Sequence, residues 1–161
     1  MSYTNADGLF VFTNGDEGVP LDQGTTNGAQ TKSLVIDIDL TRVGTTFGAA
    51  NFTPQWPVIP ARSVITRATL VMTQGATSGG AATLDIGTYN AATGAAVAAN
   101  GIDAAIALAA MDAVGEVVRC DGTVAAGTVD VGAADVVIGP VRAVAAYTAG
   151  RGKLFIEYLE T

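Results

Sequence analysis

The sequence has no histidine and a single cysteine, Cys120, among its 161 residues. The first absence removes imidazole both as a general base and as a metal ligand. The second excludes an intrachain disulfide and every CxxC metal or redox motif. Cations are scarce too: 8 Lys+Arg stand against 15 Asp+Glu, a net charge of -7. Such a chain lacks the clustered basic footprint of a non-specific nucleic-acid binder. Two lysines and four glutamates leave little of the usual material of exposed helix faces. Long apolar runs are missing as well, and no window approaches the roughly 20 charge-free residues of a membrane helix. The mean hydropathy of +0.39 comes largely from 29 alanines and 18 valines spread along the chain. The first residues, Met1-Ser2-Tyr3-Thr4-Asn5-Ala6-Asp7, carry neither the basic nor the apolar region of a secretory signal. The expectation is a soluble chain with no cofactor, no metal, no nucleic-acid partner and no membrane partner.

Nucleophiles are equally thin. Ser2, Ser33, Ser63 and Ser78 are the only serines, none lies in a GxSxG elbow, and no histidine exists to activate them. Cys120 follows Arg119, which could lower a thiol pKa, but a buried structural cysteine is the expectation. Asp37 and Asp39 form a carboxylate pair on one strand face, suited to a solvated outer surface rather than to acid–base work. Asn14-Gly15-Asp16-Glu17-Gly18 is an acidic turn that fits no EF-hand spacing. Gly150-Arg151-Gly152-Lys153 lacks phosphate-loop spacing and leads into a strand, so a hairpin turn is expected there. Asn51-Phe52-Thr53 matches a glycosylation sequon, which Pro54 and the lack of a signal discount. No catalytic residue is assigned.

What the chain does have is β-forming material. Val, Ile and Thr contribute 18, 9 and 20 residues, stiff at χ1 and suited to a pleated surface. Glycines, 20 in all, punctuate them every few positions. Lys32 to Thr41 alternates cleanly, with Leu34, Ile36, Ile38 and Leu40 on one face and Ser33, Val35, Asp37 and Asp39 on the other. Further strands are expected at 64–74, 83–89, 115–120, 123–131, 135–138, 141–147 and 153–159. Prolines 54, 57 and 60 confine the connection 42–60 to an edge or surface. One short helix is expected at 103–110, capped by Asp103. The fold class is therefore all-β: a two-sheet antiparallel β-sandwich, jelly-roll-like, with at most one or two short helices. Residues 1–31 read as an extended N-terminal arm and 32–161 as the single sandwich domain.

Aromatic placement singles out candidate interface residues. Six of the ten aromatics, Tyr3, Phe10, Phe12, Phe47, Phe52 and Trp56, precede residue 57 and fall in arm or connection rather than in alternating strand. Arg42, Arg62 and Arg67 cluster around the same connection. Aromatics and arginine dominate binding hot spots, so these nine residues are candidate anchors for a partner; covering the sandwich's open end is the alternative role for the rings.

The stretch Val58-Ile59-Pro60-Ala61-Arg62-Ser63-Val64-Ile65-Thr66-Arg67-Ala68-Thr69-Leu70, followed by Ala82-Thr83-Leu84-Asp85-Ile86-Gly87, resembles a pattern in virion structural proteins of tailed bacteriophages. The resemblance covers about residues 57–160. Arg62 stands where that pattern would carry a glycine, so the local turn is expected to differ. The resemblance implies a small β-sandwich that decorates or cements a capsid, binding the major capsid protein on the outer surface of the virion after synthesis in the bacterial cytoplasm. It also implies a homo-oligomer, with a trimer favoured by analogy with decoration proteins. A tail, baseplate or head-fibre component and a carbohydrate-binding module are the alternatives. The second suffers because the single Trp lies in a proline-rich connection rather than on an aromatic platform.

Overall fold

Alternation at 32–39 becomes a strand whose inward residues Ile36 and Ile38 are 5% and 4% exposed, while its other face stays wet. It belongs to a computed structural model that describes residues 2–4, 10–12, 31–47 and 57–160. The chain divides into two compact units, Met1–Gln30 and Thr31–Thr161. In the first, β1 (Ser2–Thr4) and β2 (Phe10–Phe12) pair antiparallel with Tyr3 opposite Val11.

The second unit holds β3 (Lys32–Asp39), β4 (Val58–Ile59), β5 (Val64–Ser78), β6 (Ala82–Asn90), β7 (Ala96–Ala107), β8 (Val117–Arg119), β9 (Val136–Val144) and β10 (Tyr147–Leu159). These form two antiparallel four-stranded sheets, ordered β3-β10-β5-β8 and β4-β9-β6-β7. The chain changes sheet at every connection except the β6–β7 hairpin, which is the winding of a jelly roll. Between the sheets lie Ile65, Leu70 and Met72 of β5 and Leu154 and Ile156 of β10. Leu84 and Ile86 of β6, Ile102 and Ile106 of β7, and Val136 and Ile138 of β9 face them. Aliphatic side chains fill this core almost alone, as the shortage of aromatics after residue 57 requires.

The proline expectation holds at β4, a two-residue edge strand just after Pro57 and ending before Pro60. Pro140 sits inside β9, but beyond the two positions, Val136 and Val137, at which β4 pairs with that strand. No strand therefore needs the N–H that proline lacks.

Three local expectations are overturned. The helix at 103–110 does not form: β7 runs through Ala107, and only Leu108–Ala110 makes a 3-10 turn. Alanine's helix propensity is a weak preference, and burying Ile102 and Ile106 at 0% and 5% exposure against the opposite sheet outweighs it. Asp103 caps nothing helical; its carboxylate accepts from the adjacent Ala104 N–H at 2.7 Å. The strand expected at 123–131 is a set of turns folded onto β7, with the Val124 N–H donating to the Gly101 carbonyl at 2.8 Å. The Gly150–Lys153 stretch is not a hairpin turn but part of β10, where Gly150 takes φ 134 at an irregularity in the pairing with β5. A Cβ there would lie 2.7 Å from Leu40 Cδ1, so glycine answers both the backbone angle and the close approach.

Candidate interaction surface

The two sheets differ in what covers their outer faces. On β4-β9-β6-β7 the connection after β3 runs beside β9, past the end of β4. The Arg142 N–H donates to the Gly44 carbonyl at 2.9 Å, and Arg142 Nε donates to the Val43 carbonyl at 3.0 Å. Phe47 then sets its ring against Tyr89, with centroids 4.2 Å apart. Tyr89 and Val137 are cross-strand partners outside the central core, yet they are 3% and 0% exposed.

The outer face of β3-β10-β5-β8 is open among the described residues. Strand register sets its rows: Val35, Phe155, Thr69 and Arg119 lie side by side, as do Asp37, Lys153, Val71 and Val117, with Ser33, Glu157 and Arg67 at one end. Phe155 is 42% exposed, Val35 48% and Val117 62%. A shallow depression lined by Arg67, Thr69, Phe155 and Glu157 lies at one end of this face. A second, lined by Asp37, Ile38, Asp39, Thr73, Arg151 and Gly152, lies at the other. Large apolar side chains ringed by charges are the composition of a protein-binding patch.

The charges on this face divide into paired and unpaired. Lys153 Nζ donates to Asp37 Oδ1 at 2.6 Å, and Arg151 approaches Asp39 at 3.6 Å. Asp39 Oδ1 also accepts from the Thr41 hydroxyl at 2.6 Å and the Thr41 N–H at 3.1 Å, and the hydroxyl contact above all holds this carboxyl below its usual range. The suggestive carboxylate pair is thus neutralised by the next strand. The side chains of Arg67 and Arg119 make no ion pair or hydrogen bond among the described residues, and both are exposed.

The residues singled out in the sequence scatter. Tyr3 lies on β1, and Phe10 and Phe12 on β2. Phe52 and Trp56 lie outside the described residues. Arg42, itself exposed, ends a 3-10 turn after β3, Leu40–Arg42, whose Leu40 is buried. Phe47 packs on its own sheet as described. Arg62 occupies the turn before β5 at φ 64, the left-handed region a glycine adopts freely. The departure from the phage pattern therefore leaves the backbone in a glycine-like conformation. The Arg62 N–H donates to the Gly132 carbonyl at 2.8 Å and its guanidinium meets Asp130 at 3.2 Å. Of those described in the sandwich unit, Arg67 lies on the open face. Phe155, Val35, Val117 and Arg119 were not singled out, although the alternation of Lys153, Phe155 and Glu157 against inward Leu154, Ile156 and Tyr158 places an aromatic on the wet side of a strand.

Two further acidic groups on the sandwich are shifted by burial. Burial first, and the neighbouring Asp103 second, push the Cys120 thiol up to about 12, so it stays protonated and unreactive at neutral pH. Burial likewise raises Asp103, 6% exposed, with the Asp121 and Asp85 carboxylates adding to it. Among the described residues no group of three or more His, Cys, Asp or Glu side chains could hold a metal ion. No helix among them is long and apolar enough to cross a membrane.

No family model and no curated protein matches the chain. Two solved structures share its fold. A chain in the capsid of Ralstonia phage GP4 is 20% identical with a TM-score of 0.56, the match covering 84% of this chain and 88% of that one. A chain in the cyanophage Pam1 capsid asymmetric unit is 16% identical with a TM-score of 0.59, covering all of both. At these identities the shared property is the jelly-roll architecture.

Proposed function

We propose that this protein is a non-enzymatic structural component of a phage particle, which binds the major capsid protein on the outer surface of the shell and stabilises it as a decoration or cement protein. The observation that carries the reading is the jelly roll itself, shared along the full length of a chain from a phage capsid asymmetric unit. The phage-like motif at 58–87 agrees with it, as does a composition without histidine. Capsid neighbours favour a place on the head over the tail, baseplate or fibre.

In this reading the protein acts as a homo-oligomer, with a trimer favoured by analogy. The arm, residues 1–31, and the connection at 42–60 engage neighbours, using Tyr3, Phe10, Phe12, Phe52 and Trp56 as apolar anchors and Arg42, Arg62 and Arg67 as polar ones. Burying each large ring in an interface is worth roughly 1.5–3 kcal/mol relative to leaving it in water. Mass spectrometry of purified virions, combined with binding of the pure protein to undecorated shells, tests the proposal. Saturable binding that raises the temperature of shell disruption is the expected result. Retention on tails or on glycans, with no binding to shells, overturns it.

A further inference from the structure

We infer that the outer face of the β3-β10-β5-β8 sheet is the acceptor for the arm of a neighbouring copy. This rests on the oligomer proposed above and names the surface on which it assembles.

The two partners are complementary in charge and in polarity. The face carries Arg67, Arg119, Arg151 and Lys153 against Asp37, Asp39 and Glu157, in a chain whose net charge is -7. Lys153 and Arg151 are engaged by Asp37 and Asp39. The Arg67 and Arg119 side chains have no partner among the described residues, and they flank Thr69 and the exposed Phe155 ring in the strand register. The arm has the opposite character. Residues 1–31 contain Asp7, Asp16, Glu17 and Asp22, no lysine and no arginine, together with Tyr3, Phe10 and Phe12. Aromatic side chains and carboxylates on one partner thus match an exposed ring, valines and unengaged guanidiniums on the other.

Availability supports the same assignment. The outer face of the second sheet is already covered over β9 and β6 by the Phe47 ring. Reach is not limiting, since a chain the length of residues 13–31 spans up to about 65 Å when extended, several times the width of a four-stranded sheet.

The test uses two chains. One lacks residues 1–12 and keeps the face; the other carries Arg67→Glu and Arg119→Glu and keeps the arm. Each alone should associate at least tenfold more weakly than the wild type by light scattering. Mixing them should yield a complex that weakens as salt is raised, because only the mixture pairs an intact arm with an intact face. Adding Asp16→Lys and Glu17→Lys to the charge-reversed chain should restore its self-association. Phe155→Ser serves as a second face variant if circular dichroism shows the charge reversal to be misfolded, and should abolish assembly in the same way. A mixture that remains uncomplexed, or a face variant that keeps the wild-type mass, overturns the inference, as does a monomeric wild type. Copies that assemble in this way but bind no shell would leave the inference standing and remove the capsid role. Binding to shells by the wild type, with no complex in the mixture, would do the reverse.

Discussion

The ring of Phe47 fills the space into which a side chain at Gly139 would project: a Cβ there would lie 2.4 Å from Phe47 Cδ2 and 2.5 Å from Cε2. This contact decides which side of the sandwich is closed. With no side chain at 139 the ring sits against β9 and reaches Tyr89 on β6, so among the described residues one sheet is covered by the protein's own chain and the outer face of the other is open.

Gly139→Ala should therefore destabilise the protein by about 1–3 kcal/mol, because the whole ring and not a flexible tip must move. The change should appear in chemical denaturation and be accompanied by increased exposure of Tyr89. Unchanged stability would mean that Phe47 contributes nothing as a cover.

Asp85 holds the irregularity in β7. Its Oδ1 accepts from the Ala105 N–H at 2.6 Å, opposite a two-residue bulge where Ala105 takes φ 53. Removing the acceptor with Asp85→Ala should cost about 1.5–3 kcal/mol, the usual range for a hydrogen bond to a charged group. Asp85→Asn keeps an acceptor oxygen and should cost less. Equal losses in the two variants would assign the effect to charge rather than to the hydrogen bond.

Asp103 works against stability at neutral pH. Burial raises its folded carboxyl above the unfolded value, so the folded state holds its proton to higher pH, and stability from this group falls as pH rises through that window. Asp103→Asn, which keeps an acceptor for the Ala104 N–H, should melt above the wild type at pH 7. The gap should close as pH drops below the unfolded carboxyl value. A gap that is independent of pH would show that the carboxyl titrates normally.

Cys120 should resist alkylation while the protein is folded. With its thiol buried and pushed up to about 12, iodoacetamide at pH 8 should label it only as fast as the chain opens. The rate should thus follow unfolding across a denaturant series. Rapid labelling of native protein would place the thiol at the surface.

Much of the fold was legible because it is local. The inward set Leu34, Ile36, Ile38 and Leu40 and the closing alternation Lys153 to Leu159 follow from a period of two, which the pleat imposes whatever the tertiary context. The open face was only half legible. Asp37 and Asp39 were placed on the wet side correctly, but their neutralisation by Lys153 and Arg151 depends on partners more than a hundred residues away. Phe155 lies within a strand at an outward position, where period-two alternation marks it only as facing solvent and not as part of an open face.

By itself, then, the sequence determined the fold class. β-branched residues and glycine-rich punctuation dictate short strands, and the absence of histidine removes imidazole chemistry. Tertiary structure decided where weak local preferences yield. Residues 103–107 became strand because pairing with β6 buries Ile102 and Ile106, which a short alanine helix could not have equalled. Arg62 took a glycine's backbone angle because Gly132 and Asp130 hold it there. The choice of which sheet remains open was also tertiary, since it depends on Phe47 meeting Gly139 across 92 residues of chain, a contact with no local signature. Periodicity is a property of neighbours in sequence, whereas surface is what remains after distant segments have packed.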